Sequence, residues 1–321
     1  MTLRVGTRGS ELALYQANAV AAQLRANAGI ECEIVVIRTS GDRLAEAPLT
    51  QIGGKRLFVK EIEDALLARE VDLAVHSSKD LPVVLPEGLA IGGVLAREDP
   101  RDAVVLPANG ARLSLEELVS RLGANPRIGT SSVRRTAQLA RLFPAATFLP
   151  IRGNLGTRLR KLDDGQYDAI VLAAAGLIRL EQRGRISTVL PAAACVPAPG
   201  QGIIAVEIRS DDRRVAAAVT SIDDASAGAA LEAERTVVTR LGGGCQMPIG
   251  AYAEVADGAI ALVAVVLSLD GARAIRTESR GSMTKPHEVG RAAAEGLLAE
   301  GADEILADVQ RAHAAVEGIQ P

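Results

Sequence analysis

The sequence predicts an α/β protein with two similar domains and a smaller α+β domain at its C-terminal end. Three observations lead to this fold class. Strand-like and helix-like segments alternate from residue 3 to about residue 97, and the same alternation restarts near residue 127. From about residue 221 it gives way to a helix, a hairpin and a helical tail. Alternating strands and helices are typical of a parallel sheet that carries helices on its faces.

The first domain begins with the short apolar segment "LRVGT", which predicts a buried strand. A helix follows, because an apolar stripe runs through "SELALYQANAVAAQLRAN" and Ser10 can cap its first turn. The next elements are the strand "CEIVVIRTSG", the helix "GGKRLFVKEIEDALLAREV" and the strand "DLAVHSSKDLP", which runs into a turn before Pro82.

The second domain repeats a unit of strand, turn and helix. It does so in "RIGTSSVRRTAQLARLF", in "TFLPIRGNLGTRLRKLDDG" and in "YDAIVLAAAGLIRL". We place the boundary near residues 96–102, where the hydrophobic pattern breaks around a proline. The segment "PAPGQGIIAVEIRS" is rich in Pro and Gly and then strand-like, so we expect it to carry the chain back to the first domain.

The third domain combines the helix "ASAGAALEAERTVVTRL" with the hairpin "AIALVAVVLSLDGARAIRTESRG", which turns at Asp270 and Gly271. Between them lies the loop "LGGGCQMPIG", which contains Cys245. The predicted domains are 1–99 with 200–220, 100–199, and 221–321.

The composition excludes several classes of protein. Hydrophobic residues make up 48 % of the chain, charged residues 23 %, and the net charge is -3, which argues against disorder and against a polybasic nucleic-acid-binding protein. Three widely spaced cysteines, without a CxxC motif, predict neither a disulfide scaffold nor a zinc site. The N-terminal segment lacks the pattern of a signal peptide, and the apolar runs are too short to span a bilayer, so we expect a cytoplasmic protein.

Cations and hydroxyl groups follow almost every predicted strand of the two α/β domains. Ligands bind at the carboxyl ends of strands in open α/β sheets, and Arg forms bidentate contacts with carboxylates and phosphates. These residues therefore predict a cleft that binds several anionic groups, and the lack of a Walker A or GxGxxG motif favours a polycarboxylate over a nucleotide. The candidates are Arg8, Ser10, Lys79, Thr130, Ser131, Ser132, Arg134, Arg135, Arg152, Arg158 and Arg179.

Asp80 is the one carboxylate among these strand-end cations. It can transfer protons or stabilise a developing positive charge, and the adjacent cations favour its ionised form. The alternative is that it only caps the turn before Pro82. His76, in the same segment, is interpreted as a structural residue rather than a base.

Cys245 follows three consecutive glycines, Gly242 to Gly244, which allow a close approach of backbone or ligand. A helix C-terminus precedes it, and the dipole there disfavours a thiolate, so a covalent attachment point fits better than a recycled nucleophile. The alternative is a helix C-cap and turn with a small buried cysteine.

Taken together, these segments resemble the porphobilinogen deaminase family. The motifs "TRGSELALYQA", "GGKRLFVKEIEDALL", "DLAVHSSKDLP", "REDPRDA", "IGTSSVRR", "RGNLGTRL", "DAIVLAAAGL", "PAPGQG" and "LGGGCQMPIG" occur in this order over nearly the whole chain. The resemblance implies two domains like the lobes of periplasmic binding proteins, a third domain, a monomer, and a reaction in which four porphobilinogen molecules are deaminated and condensed into hydroxymethylbilane.

The resemblance also implies roles for individual residues. Cys245 would hold a dipyrromethane cofactor through a thioether, and Asp80 would stabilise the cation formed as ammonia leaves. The cations and hydroxyls named above would bind the carboxylates of cofactor and substrate, while Phe58 and Gln16 would cover the cleft. Gly9 and Ser78 depart from the family pattern, without removing a group that the mechanism needs.

Two other functions remain open from the residues alone. A two-lobed carboxylate-binding protein would need an export signal, which we do not find, and would leave the glycine–cysteine loop unexplained. A cysteine hydrolase using Cys245 and His76 is disfavoured by the position of the cysteine after a helix C-terminus.

Overall fold

The computed structural model describes residues 2–39, 59–108, 111–244 and 246–317, with side chains up to residue 312. The chain divides into two compact units. Unit 1 comprises Met1–Glu98 with Gly200–Gly228, and unit 2 comprises Asp99–Pro199 with Ala229–Pro321. Each unit is therefore built from two separate parts of the chain. The division into three domains stays a prediction.

The secondary structure alternates as the sequence indicates. The first part of unit 1 contains β1 (Thr2–Thr7), α1 (Glu11–Ala28), β2 (Glu31–Val36), α2 (Lys60–Leu67), β3 (Leu73–Ser77) and β4 (Leu89–Val94). The chain continues with β5 (Asp102–Val105), α3 (Leu115–Leu122), β6 (Arg127–Gly129), α4 (Val133–Leu139), β7 (Thr147–Leu149), α5 (Leu155–Asp163), β8 (Ala169–Ala173), α6 (Ala174–Arg179) and β9 (Thr188–Val189). The remaining elements are β10 (Ile204–Arg209), α7 (Arg213–Thr220), α8 (Ala225–Arg240), β11 (Ile249–Ala256), β12 (Ala259–Leu267), β13 (Ala274–Ser282), α9 (Pro286–Ala299) and α10 (Ala302–Glu317).

The sheet of unit 1 has five strands in the order β2-β1-β3-β10-β4. Strand β1 runs parallel to β2 and β3, whereas β10 runs antiparallel to both β3 and β4. The core of unit 1 consists of residues of β1, β3 and β10 and of the buried face of α1. It includes Leu3 and Val5 of β1, Leu24 of α1, Leu73 of β3 and Val206 of β10. Because most side chains of these strands are buried, their sequences are nearly continuous apolar runs.

The main sheet of unit 2 repeats this arrangement, with the order β7-β6-β8-β5-β9. Here β6 is parallel to β7 and β8, while β5 is antiparallel to β8 and β9. The repeat that the sequence predicts is thus confirmed, but each sheet also holds an antiparallel strand. These strands are β10 in unit 1 and β5 in unit 2, and each is the first strand after the chain passes from one unit to the other. The alternation of strands and helices in the sequence does not indicate the direction of either strand.

The C-terminal part of unit 2 is a three-stranded antiparallel sheet in the order β11-β12-β13. The predicted hairpin corresponds to β12 and β13, and β11 adds a strand that the sequence analysis did not identify. Helix α9 packs against β12 and β13. On β12, Val265 and Leu267 pack with Ala137 of α4 and with Val196, so this small sheet contacts the helix that carries Arg134 and Arg135.

The predicted fold class, two α/β sheets with a smaller sheet-rich C-terminal region, is confirmed. Within the described ranges, no helix has both the length and the apolar character needed to cross a membrane.

Candidate functional site

The end of β1 in unit 1 leads into the start of α1. The Ser10 hydroxyl accepts a hydrogen bond from the Ala13 amide at 3.4 Å and caps this helix, as the sequence predicts. Arg8 is half-buried in the connection between β1 and α1. Gln16 lies one turn further into the helix and is buried, and its amide nitrogen donates to the Ser77 hydroxyl at 2.9 Å. The start of α1 is thereby tied to the end of β3.

Strand β3 ends in a short 3-10 turn, Ser78–Asp80, that presents the next two candidates. The Lys79 ammonium donates to the side-chain oxygen of Gln201 at 3.3 Å. Asp80 is exposed, and its carboxylate accepts no hydrogen bond from the part of the chain that the structure describes. Within the described residues its carboxylate therefore does not cap the turn before Pro82.

His76 is buried in β3, where its Nε2 lies 3.1 Å from a carboxylate oxygen of Glu207 on β10. Both side chains are almost completely enclosed, at 4 % and 0 % exposure. An imidazole in this position cannot reach a substrate directly. The structure thus favours the structural interpretation of His76.

In unit 2, the loop between β6 and α4 carries three predicted hydroxyl groups, and each has a structural partner. Ser132 accepts from the Arg135 amide and caps α4, while Thr130 accepts from the Ser132 amide. Ser131 donates to the Ile151 carbonyl at 2.8 Å and accepts from the Ile151 amide at 3.0 Å. These bonds hold the loop beside the residue that precedes Arg152. Ser132 is thus the N-cap of α4.

Arg134 and Arg135 lie on α4 and share the fully buried carboxylate of Asp102, at the start of β5. Arg134 Nη1 and Arg135 Nη2 each lie 2.7 Å from a carboxylate oxygen of Asp102. The thiol of Cys195 donates to Asp102 Oδ2 at 3.3 Å. Burial and the neighbouring Asp102 raise the pKa of Cys195 to about 12, so the thiol stays protonated. Burial would lower the pKa of the Arg134 guanidinium, but Asp102 raises it above its ordinary value.

Sequence reasoning assigned no role to Asp102. Its signal was present in the motif "REDPRDA", where an acidic residue opens a strand whose other residues are apolar. A carboxylate at a fully buried strand position requires partners, because an unpaired buried charge is strongly unfavourable. No local pattern, however, indicates that the partners are two arginines on a helix about thirty residues further along.

The other three predicted arginines of unit 2 lie in or directly before the next two helices, α5 and α6. Arg152 precedes α5, and Arg158 lies within this helix with its Nε donating to the Gly153 carbonyl at 2.8 Å. Arg179 is buried at the end of α6. Gly153 has a φ of 105° in the turn before α5, a conformation that favours glycine.

Cys245 and Phe58 lie outside the described residues, although the residues before Cys245 are defined. Helix α8 ends at Arg240, and Gly242 then adopts a φ of 62°. A side chain at Gly243 would place its Cβ only 2.4 Å from Ile249 Cδ1. The backbone conformation therefore favours glycine at position 242, and the lack of space for a side chain favours glycine at position 243.

Two of the three cysteines are described. Cys195 is fully buried and hydrogen-bonded to Asp102, so its sulfur has no space beside it for a two-pyrrole group. Cys32 lies half-buried on the edge strand β2, and burial raises the pKa of its thiol.

Two family models match the chain. Residues 3–217 match "Porphobilinogen deaminase, dipyromethane cofactor binding domain", and residues 229–299 match "Porphobilinogen deaminase, C-terminal domain". The porphobilinogen deaminase of Syntrophobacter fumaroxidans is 46% identical over 311 residues, covering 97% of this chain and 98% of that protein. The porphobilinogen deaminase of Desulforudis audaxviator is 50% identical over 307 residues, covering 95% of this chain and 97% of that protein.

Solved structures that align with this chain include the periplasmic VFT2 domain of Bordetella pertussis BvgS. Its TM-score is 0.41 at 16% sequence identity, and the alignment covers 69% of this chain and 86% of that one. An ancestral arginine-binding protein bound to arginine aligns with a TM-score of 0.37 at 15% identity, covering 69% of this chain and 90% of that one. Similarity at this level carries no argument about function.

Proposed function

Because the chain belongs to the porphobilinogen deaminase family, we propose that it deaminates four porphobilinogen molecules and condenses them head to tail into hydroxymethylbilane. The reaction starts on a covalently bound dipyrromethane primer and serves tetrapyrrole biosynthesis. The observation that carries this proposal is the agreement with the family over nearly the whole chain. The cations that follow the strands of both sheets support it, because porphobilinogen carries an acetate and a propionate side chain.

The residues present fit a dipyrromethane group, whose side chains are also acetates and propionates. Arg134 and Arg179 are buried guanidinium groups on the helices that follow β6 and β8 of the same sheet, and guanidinium groups form bidentate contacts with carboxylates. We propose that these two residues hold the cofactor and substrate carboxylates together with Arg8, Ser10, Lys79, Thr130, Ser131, Ser132, Arg135, Arg152 and Arg158. When bound, the group supplies the terminal pyrrole to which the first substrate is joined.

We propose Cys245 as the attachment point of this group, through a thioether. Its position after a glycine-rich turn supports this assignment. The enclosed thiol of Cys195, held by Asp102, does not fit the role.

We propose that Asp80 is the catalytic residue. Its exposed carboxylate accepts hydrogen bonds from the pyrrole N–H groups and stabilises the positive charge that develops on the substrate as ammonia leaves. Ionised carboxylates do this effectively when they are fixed in place beforehand, and the short turn at the end of β3 fixes the backbone of Asp80.

Phe58 and Gln16 remain predicted cover residues. The hydrogen bond between Gln16 and Ser77 favours a supporting role for Gln16 at the end of β3. We further propose that the protein works as a cytoplasmic monomer without nucleic-acid or membrane partners. Free thiols at Cys32 and Cys195 are compatible with a reducing compartment.

Intact-mass measurement of the denatured protein tests the proposed function. Protein from cells that make porphobilinogen is expected to exceed its polypeptide mass by two pyrrole units, and to form a ladder of heavier species with added porphobilinogen. Cys245→Ala is expected to lose both signals, whereas the matched control Cys32→Ala keeps them. A wild-type mass that equals the bare polypeptide and never grows would overturn the proposal and favour a carboxylate-binding protein or a cysteine hydrolase.

A further inference from the structure

The end of strand β3, which leads into the turn with Asp80, is held mainly by one neighbouring strand. Strand β1 pairs with the first two residues of β3, whereas β10 pairs with all five. Beyond the strand, the Ser78 amide still donates to the carbonyl of Ile203, just before β10, at 3.0 Å. Within the described residues, the backbone of the turn is therefore held through β10 and the residue before it.

Polar side chains hold this strand end from both faces of the sheet, because successive residues of a strand point to opposite faces. Ser77 points to the face covered by α1, where the Gln16 amide nitrogen donates to its hydroxyl at 2.9 Å. His76 points to the face on which Ala74 packs against α2. There its Nε2 lies 3.1 Å from a carboxylate oxygen of Glu207 on β10.

The register of the two strands makes His76 and Glu207 diagonal neighbours. His76 lies opposite Ala205, and Glu207 lies opposite Ala74, so both side chains are on the same face of the sheet. Diagonal neighbours of an antiparallel pair are within reach of long side chains. The contact therefore links β3 to β10 beside the last backbone pairs before the turn.

Glu207 depends on this contact. It is fully enclosed, and neither of its carboxylate oxygens accepts a hydrogen bond of good geometry from a described residue. Arg209, two residues further along β10, is engaged with the carbonyls of Leu66 and Val71 and with Asp212. A buried carboxylate without a partner is strongly unfavourable, and the ion-pair partner of Glu207 in the described part of the chain is His76.

We propose that Glu207 and His76 are positioning residues, whose contact fixes the end of β3 and thereby the carboxylate of Asp80. Both side chains are enclosed, so they act on the reaction only through the backbone of the turn. This inference rests on the proposed function, because Asp80 is the residue proposed there to be catalytic. It gives a role to Glu207 and makes His76 more than a core residue.

The shortness of the turn makes the position of Asp80 sensitive to the strand end. The 3-10 turn has only three residues, Ser78–Asp80, so a shift of the last residues of β3 moves Asp80 with them. A displacement of a catalytic group by about 1 Å costs on the order of 10²-fold in rate. The proposed carboxylate-binding arginines are not part of this contact, so we expect kcat to change more than KM.

Replacing the pair in two steps tests the inference. Glu207→Met leaves His76 without its partner, and we expect a lower Tm and a kcat reduced roughly 10- to 100-fold. The double variant His76→Leu/Glu207→Met replaces a buried ion pair by apolar side chains, which is often neutral for stability. We expect it to regain most of Tm but not kcat, because apolar contacts do not fix one position, with KM changed by less than about threefold.

Hydrogen–deuterium exchange of the peptide that contains Ser78 gives a readout independent of activity. The Ser78 amide is hydrogen-bonded to Ile203, so its exchange reports how firmly the strand end is held. We expect this peptide to exchange at least about tenfold faster in both variants, while peptides from β1 keep the wild-type rate.

Asp212→Asn is the matched control, because it removes an ion pair from the other end of β10. Asp212 lies 2.7 Å from Nη2 of Arg209, the last residue of the strand. We expect this variant to lower Tm while kcat and the exchange of Ser78 stay as in the wild type. A comparable loss of kcat in Asp212→Asn would overturn the inference, because general destabilisation would then explain the effect.

The inference is also overturned if the double variant regains both Tm and kcat, since the pair would then contribute stability alone. If circular dichroism shows that the double variant does not fold, Glu207→Gln decides, because it keeps the shape of the side chain without its charge. Normal kcat and normal Ser78 exchange in Glu207→Gln would overturn the inference, and a loss of kcat with faster exchange would support it. A wild type without adduct or turnover overturns the proposed function and this inference with it, whereas a loaded, active wild type with unaffected Glu207 variants overturns the inference alone.

Discussion

At the scale of single residues, Asp80 and Asp102 show how burial separates the roles of two carboxylates. Asp80 is exposed and accepts no hydrogen bond from the described part of the chain, while Asp102 is fully enclosed by two arginines and a thiol. A carboxylate that binds a substrate must stay accessible from the solvent. A carboxylate that positions cations can be buried, because those cations pair with it. The two residues therefore call for different tests.

Replacing Asp80 by Asn keeps the size of the side chain and removes its charge. We expect kcat for porphobilinogen to fall roughly 10²- to 10⁴-fold, because the developing cation loses its counter-charge. Steady-state kinetics would measure kcat, on protein whose intact mass shows that it carries the cofactor. The matched control is Asp64→Asn, an exposed aspartate on α2, which we expect to leave kcat unchanged. A loaded Asp80→Asn enzyme with near-normal kcat would contradict the role.

Cys195 provides a second test at this scale. Its pKa is raised to about 12, first by burial and then by Asp102, and the thiolate is the form that reacts with alkylating agents. We expect iodoacetamide to leave Cys195 unmodified in the native protein near neutral pH and to modify it fully after unfolding. Peptide mapping after both treatments would show this. Rapid native labelling of Cys195 would mean that the Asp102 cluster opens.

At the scale of secondary-structure elements, ion pairs fix the start of β1 beside the start of β3. The carboxylate of Asp72 accepts from the Arg4 amide at 2.8 Å and from the Arg4 guanidinium at 3.2 and 3.1 Å. Burial would raise the pKa of Asp72, but the hydrogen bonds from Arg4 hold it below its ordinary value. This contact helps to set the register that brings the ends of both strands, with Arg8 and Asp80, to the same edge of the sheet.

The lowered pKa gives this contact a pH dependence. A carboxyl group whose pKa is depressed in the folded state stabilises the protein above its unfolded pKa, near 3.8, and this stabilisation is lost as pH falls through the folded value. We expect Asp72→Asn to reduce stability by about 1–3 kcal/mol at neutral pH, and by less in acid.

Tm as a function of pH would measure this effect. Asp211→Asn is the control, because its partner Arg69 and Asp211 itself are exposed, and we expect a change near zero. An equal loss of Tm for Asp72→Asn at acidic and neutral pH would show that the carboxylate charge is not what stabilises the contact.

At the scale of the whole molecule, a chain with net charge -3 concentrates cations at the strand ends of two sheets. Attraction between these cations and the substrate carboxylates is screened by salt where the groups are exposed. We expect KM for porphobilinogen to rise several-fold between about 0.05 and 0.5 M KCl, with a smaller change in kcat.

Steady-state kinetics over this range of salt would measure both constants, with Tm as the control for folding. A KM independent of salt would indicate that only enclosed cations, such as Arg134, contribute to binding the substrate.

The alternation of strands and helices, the duplicated α/β pattern, the strand-end cations and the glycine loop could all be predicted from the sequence. Each depends on residues that are close together in the chain, where side-chain period and turn chemistry act directly. The family resemblance depends on the same local motifs, and it places Asp80 and Cys245 in their proposed roles.

Only the tertiary structure decided that Asp102 joins Arg134 and Arg135, and that β5, β10 and β11 complete their sheets. These features depend on contacts between distant parts of the chain, such as Asp102 with Arg135 and Ala251 with Pro197. The local pattern shows that two adjacent arginines begin a helix. It cannot show that one buried carboxylate pairs with both, because that carboxylate reaches the helix only when the sheet has formed.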